Sequence, residues 1–235
     1  MHPAMLTQYR AAASQPKGAT PRGLLLSALG WWDAADYTSG AWANKGTAGS
    51  ALNFTRGAAA ANPSFASGEF TFDGVDDYMY IADTATLDVA AGESLTFGVI
   101  MNPVVTVPNG KRIISKDTGT GQTYLIRGSS GTSIVANFND GTSSNFVGCA
   151  LPTVGVYSLM AAVRDCAANL TWCYNGTSNN GSAALTSEAA INNAGEFRIG
   201  GIAANFTNMK VKAAFLFKRA LTIQQINSIK SYYNV

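Results

Sequence analysis

"SLTFGVIMN" (residues 94–102) places Leu95, Phe97, Val99 and Met101 on one side of an extended chain, because strand side chains alternate with a period of two. The same period recurs on both sides of it. "SIVANFND" (133–140) aligns Ile134, Ala136 and Phe138, then meets the turn dipeptide Asp140-Gly141. "YSLMAAVR" (157–164) aligns Tyr157, Leu159, Ala161 and Val163. "NLTWCYNG" (169–176) aligns Leu170, Trp172 and Tyr174 and ends at Asn175-Gly176. "MKVKAAFLFKR" (209–219) gives Met209, Val211, Ala213, Phe215 and Phe217 one face. Lys210, Lys212 and Lys218 share the other with Ala214 and Leu216, so a half-buried strand with a wet start is expected. "GLLLSALGWW" (23–32) is short and apolar and reads as a buried strand. Its adjacent Trp31 and Trp32 would point to opposite faces, only one of them into the core. Ten to twelve short strands with turns between them predict an all-β fold, a two-sheet antiparallel jelly-roll sandwich.

The two ends read differently. "LTIQQINSIKSYY" carries Thr222 with Gln225 three residues on, a capping box, and Leu221 and Ile226 in staple positions. Ile223, Ile226, Ile229 and Tyr233 form an apolar stripe, so one C-terminal helix should close the domain. Residues 1–22 contain Pro3, Pro16, Pro21 and Gly18, little apolar periodicity, and Arg10, Lys17 and Arg22 without an acid. They read as an extended arm that a neighbouring surface would order, with Tyr9, Arg10, Lys17 and Arg22 as anchoring residues. The expected division is an arm over 1–22 and one sandwich domain over 23–235.

The totals narrow the function classes. The chain of 235 residues is 47% hydrophobic, enough for a sizeable core in one domain. Charged residues make up 13%, about half the usual share. The net charge of +2, +3 in the arm and −1 in the rest, gives no basic stripe for nucleic acid. No apolar run is long enough to span a membrane, and the N-terminus has no export signal, so folding in a cytoplasm is expected. Three cysteines (Cys149, Cys166, Cys173) cannot all pair, so free thiols are expected, two of them as small core hydrophobes.

"FTFDGVDDYMYIAD" (70–83) holds the densest chemistry. Asp73, Asp76 and Asp77 crowd the turn at Gly74 and could supply hard oxygen ligands to calcium. Their spacing is too irregular for an EF-hand. Asp side chains also hold turns by accepting hydrogen bonds from nearby backbone, and that architectural role is the first expectation here. Glu69 and Asp73 are the one candidate carboxylate pair for glycoside hydrolysis in a chain with only four glutamates. The sole histidine is His2, so no Ser-His-Asp arrangement is available. For sugar binding, Trp42 in a glycine-rich segment is the ring expected to be exposed. The turns "GTSNNGSA" (176–183), with Asn179 and Asn180, and "NFNDGTSSN" (137–145) offer amide partners.

Residues 65–235 resemble the concanavalin A-like lectin/glucanase superfamily in its laminin-G-like, pentraxin-like branch. The resemblance lies in "FTFDGVDDYMYIADTATLDVAAGESLTFGVIMNP" (70–103), "RIISKDTGTGQTYLI" (112–126), "GVYSLMAAVRDCAANLTWCYNGT" (155–177) and "FRIGG…VKAAFLFKRALTIQQINSI" (197–229). It departs at Gly98 and Ile100, where many relatives carry a tryptophan, and at Lys210 and Lys212, where an acid is usual. Upstream, "GWWDAADYTSGAWANKGTAGSALNFT" (30–55) resembles segments that precede such domains in bacteriophage particle proteins. The resemblance implies a non-enzymatic virion structural or decoration protein of head or tail, made in the host cytoplasm. It would be held to other virion proteins by its arm, oligomeric with copies of itself, and adhesive to cell-surface glycans. A free lectin, calcium-dependent or not, is the alternative, and a glycoside hydrolase the third. No cofactor other than calcium is expected.

Overall fold

The computed structural model describes residues 20–118, 121–176 and 181–235. Fifteen strands, two α-helices and four short 3-10 helices are present among them. One antiparallel sheet runs β13 (Gly181–Ala184), β12 (Leu170–Tyr174), β11 (Ser158–Asp165), β6 (Leu95–Pro103), β15 (Asn208–Phe217), β4 (Glu69–Asp73) and β3 (Ser64–Ala66). β1 (Gly30–Asp33) adds to β15, making eight strands. The second sheet runs β10 (Ser144–Ala150), β9 (Ser133–Asn139), β8 (Thr123–Ser129), β7 (Arg112–Lys116), β14 (Phe197–Ile199), β5 (Met79–Ile81) and β2 (Thr55–Arg56). The two face each other as a sandwich, the expected all-β jelly-roll architecture.

The core between the sheets takes the alternating sets that the sequence marks. Leu95, Phe97, Val99 and Met101 of β6 meet Ile134, Ala136 and Phe138 of β9 and Tyr124 and Ile126 of β8. Cys149 of β10 and Cys173 of β12 are free thiols that touch across the two sheets, Sγ to Sγ 2.6 Å, and serve as small core fillers. Cys166 is also free and buried.

A third layer covers the back of the eight-stranded sheet. Leu159, Ala161 and Val163 of β11, Trp172 and Tyr174 of β12, and Phe215 and Phe217 of β15 form a second core there. It is sealed by Leu24 and Leu25 of α1 (Pro21–Leu26) and Ile226 and Ile229 of α2 (Ile223–Tyr232). The 23–32 segment is therefore not one strand. Thr20 caps α1 by accepting the Gly23 N–H at 3.1 Å, and Pro21 stands at a helix start, where its missing N–H costs nothing. The chain becomes extended only at Gly30. Arg22, placed with the arm, sits exposed on α1; Tyr9, Arg10 and Lys17 lie outside the described residues. α2 has the expected capping box between Thr222 and Gln225. Ile223, expected in its apolar stripe, is instead exposed at 36%.

Both tryptophans of β1 are buried, against the expectation of one. Trp32 enters the inter-sheet core, and Trp31 points the opposite way into the helix-covered core. Two cores, one on each face, remove the choice. β15 also departs from its predicted faces. Met209 and Val211 point between the sheets, but beyond a register shift at Lys212 it is Ala214 and Leu216 that do so. Ala213, Phe215 and Phe217 turn to the helices. One extra residue in a strand exchanges its faces, and this bulge lets a single strand serve both cores.

Candidate functional site

The outer face of the seven-stranded sheet is the only sheet face without a covering layer among the described residues. The register lines up an outward rung across all seven strands: Phe146, Asn137, Leu125, Ser115, Arg198, Tyr80 and Thr55. A second, partial rung carries Ser144, Asn139 and Thr123, and a third Val135, Arg127 and Arg112. Where these cross β7 to β10, an open groove of about 440 Å³ lies on the sheet, walled at one end by Asn109 and Gly110. Leu125 forms its floor at 2% exposure, and Phe146 stands over its edge with half its surface free.

Two features of the groove are energetically costly. The Asn137 Oδ1 has no hydrogen-bond partner although the side chain is only 6% exposed. An unpaired buried acceptor costs about 1–3 kcal/mol. Arg112 and Arg127 stand directly opposite each other on β7 and β8, a like-charge pair that opposes sheet formation. Arg112 is satisfied: its Nε and Nη2 donate to Asp117 Oδ2 at 3.0 and 2.9 Å, and its Nη1 to the Gly110 carbonyl at 3.0 Å. Arg127 donates to the Gly128 carbonyl at 3.1 Å and to Asn109 Oδ1 at 3.5 Å, with no carboxylate at ion-pair distance among the described residues. Burial, and then the charge of Arg112, pull its pKa below the ordinary arginine value.

The sequence-marked candidates are placed as follows. Asp73, Asp76 and Asp77 converge, one carboxylate oxygen of each within 4.8 Å of the others. Asp73 Oδ1 accepts the Val75 N–H at 2.7 Å and the Asp76 N–H at 3.4 Å, and Asp77 Oδ2 accepts the Asp73 N–H at 2.9 Å. Gly74 takes φ +79°, and a Cβ there would collide with Asn208. Burial raises the Asp77 pKa, and the neighbouring Asp73 and Asp76 charges add to the rise. Each of Asp73 and Asp77 retains a second oxygen, so the donor set suits a hard cation, with the turn already closed by hydrogen bonds.

Glu69 of β4 is locked on the back sheet. Lys210 Nζ donates to its Oε1 at 2.8 Å, and the Tyr157 hydroxyl donates to its Oε2. Burial alone would raise its pKa, but these two donors hold it below the ordinary value. A general acid for glycoside cleavage needs the opposite shift.

Trp42, expected to be an exposed ring, is 1% exposed. It packs on Phe54 and Phe70, with its backbone bridged to Phe54. The glycine-rich segment around it is a lining of the core. Asn179 and Asn180 lie outside the described residues. Of the Asn-rich stretches, 137–145 contributes to the groove through Asn137 and Asn139. Arg112, Arg127, Asp117 and Phe146 are groove residues that sequence reading misses. The available signal was the polar alternate set Thr123, Arg127, Asn137 and Asn139 opposite the core set of β8 and β9.

A family model of the concanavalin A-like lectin/glucanases superfamily matches residues 73–227. No curated protein matches the chain by sequence. Among solved structures, the fold is similar to the botulinum neurotoxin serotype D binding domain, at a TM-score of 0.66 and 11% identity, covering 88% of this chain and 51% of that one. It is similar to a mutant of Trypanosoma rangeli sialidase displaying trans-sialidase activity, at 0.61 and 9%, over 88% and 33%. It is also similar to the binding domain of Paraclostridial Mosquitocidal Protein 1, at 0.54 and 10%, over 71% and 44%. The chain thus spans between a third and about half of the length of these proteins, and at such identity the likeness is one of fold. No helix among the described residues is long and apolar enough to cross a membrane.

Proposed function

We propose that this chain, which belongs to the concanavalin A-like lectin/glucanases superfamily, is a non-enzymatic carbohydrate-binding domain that uses the groove on its seven-stranded sheet. The observation that carries this reading is the buried, unpartnered Asn137 Oδ1 between an apolar floor, Leu125, and an exposed ring, Phe146. A sugar presents hydroxyl donors on its edges and an apolar C–H face. It can satisfy the amide while stacking on the ring, which relieves the cost of leaving that acceptor dry. The test is a glycan array followed by titration. Asn137→Ala and Phe146→Ala should each weaken binding at least tenfold without lowering the melting temperature. Unchanged binding in both would overturn the groove as the site. Running the array with and without calcium, and with Asp76→Asn, tests the acidic turn as a cation site.

The setting we propose is a bacteriophage particle, on head or tail, with the residues before Thr20 attaching the domain to other virion proteins and copies of the chain grouped by the particle's symmetry. This rests on the resemblance of residues 30–55 to segments of phage particle proteins. Mass spectrometry of purified particles tests it: the chain should appear at stoichiometric copy number, and its absence would return the reading to a free lectin.

A further inference from the structure

We propose that the groove is selective for acidic sugars, binding a sugar carboxylate at Arg127 while a ring hydroxyl donates to Asn137. The inference rests on the carbohydrate-binding reading and specifies its ligand class. Three observations support it. First, the groove holds two guanidiniums and one carboxylate, and Asp117 is committed to Arg112 through two donors at 3.0 and 2.9 Å. Arg127 is left as a half-buried cation without an acidic partner at ion-pair distance among the described residues. Its planar fork matches a carboxylate and retains donors that its contacts with Gly128 and Asn109 do not use. Second, Asn137 supplies an independent, unpartnered acceptor more than nine-tenths buried in the same groove. Third, the register spaces the two groups. Leu125 pairs with Asn137 and Arg127 with Val135, so Arg127 and Asn137 are diagonal neighbours on one face. Diagonal positions lie roughly 7–8 Å apart, a span that one pyranose with its carboxylate bridges. A neutral sugar would use the acceptor and leave the cation unpaired.

The test uses the whole chain and paired probes: uronate- or sialate-terminated oligosaccharides, their neutral parents, and dextran sulfate as a measure of bulk charge. The acidic member of a pair should bind at least tenfold tighter than its parent. Arg127→Gln should erase that preference, and Asn137→Ala should weaken both members. Arg198→Gln, on the same sheet face but outside the groove, should change neither. Binding of neutral glycans alone, lost in Asn137→Ala, would overturn the acidic selectivity and leave the carbohydrate reading standing. Dextran sulfate binding as tightly as the acidic sugars, and surviving Arg127→Gln, would overturn it as nonspecific attraction. No binding to any glycan would overturn both.

Discussion

The two outer faces of the sandwich are built from the same alternating strands and end in opposite states. Behind the eight-stranded sheet, aromatic and aliphatic side chains meet two helices, and Trp31, Tyr233 and Asp33 satisfy one another there, although Asn102, further along the same face of β6, keeps an unpartnered Oδ1. Trp31 Nε1 donates to the Tyr233 hydroxyl at 2.8 Å, and that hydroxyl donates to Asp33 Oδ2 at 3.3 Å. On the seven-stranded sheet no layer covers the groove, an amide oxygen is left unpaired, and two arginines face each other across a strand pair. In the reading we propose, the Asn137 oxygen, which lines the groove, is where a ligand supplies the missing partner. On that proposal the covered face holds the domain together and the open face carries its chemistry.

The sharpest test of that contrast is Trp31→Ala. It removes a fully buried ring from the second core together with its hydrogen bond to Tyr233. We expect a loss of about 3–5 kcal/mol in urea unfolding, with glycan affinity retained by the folded fraction. A loss under about 1 kcal/mol would mean that the helices are an accessory and not a layer.

Next comes Asp140, which closes the turn between β9 and β10 beside the groove. Its Oδ1 accepts the Thr142 N–H at 2.9 Å, the Thr142 hydroxyl at 2.8 Å and the Ser143 N–H at 2.7 Å. Burial pushes its carboxyl up, but the Ser187 hydroxyl and these donors outweigh it and bring the pKa from 3.8 to about 2. The folded value lies below the unfolded one, so its stabilisation is present above 3.8 and is lost as pH falls towards about 2. Asp140→Ala should cost about 1–3 kcal/mol at neutral pH. Asp140→Asn should flatten the stability–pH curve in that window, and an unchanged slope would sink the assignment.

The smallest effect has the opposite sign. Arg127→Gln removes one of the two facing charges and should raise stability by a few tenths to about 1 kcal/mol. The gain should shrink with added salt, since screening already weakens the repulsion. Destabilisation by Arg127→Gln at low salt would show that the arginine serves the fold and would blur the contrast between the faces.

The strands of the inter-sheet core were legible because each carries an alternating apolar set, even β6, which is buried on both faces. β6 and β9 keep their predicted sets, and the Thr222–Gln225 box marks the start of α2 without tertiary help. The 23–32 segment was not legible, since a short apolar run lacks the length to separate helix from strand. Trp42 was misplaced for a related reason: neighbouring glycines suggest a loop but do not say what the loop covers. The groove was legible only in part. Asn137 and Asn139 stand in an Asn-rich stretch, whereas Arg112 and Arg127 lie 15 residues apart in the sequence and become neighbours only through the β7–β8 register.

By itself, the sequence determined the class of fold, the alternating core sets and the capped C-terminal helix, because these depend on local period and composition. Tertiary structure alone decided which face each strand turns to which core, how the bulge at Lys212 divides β15 between two cores, and which polar groups stay unpaired on the open sheet. Those outcomes depend on register, and register is set by contacts between residues distant in the chain.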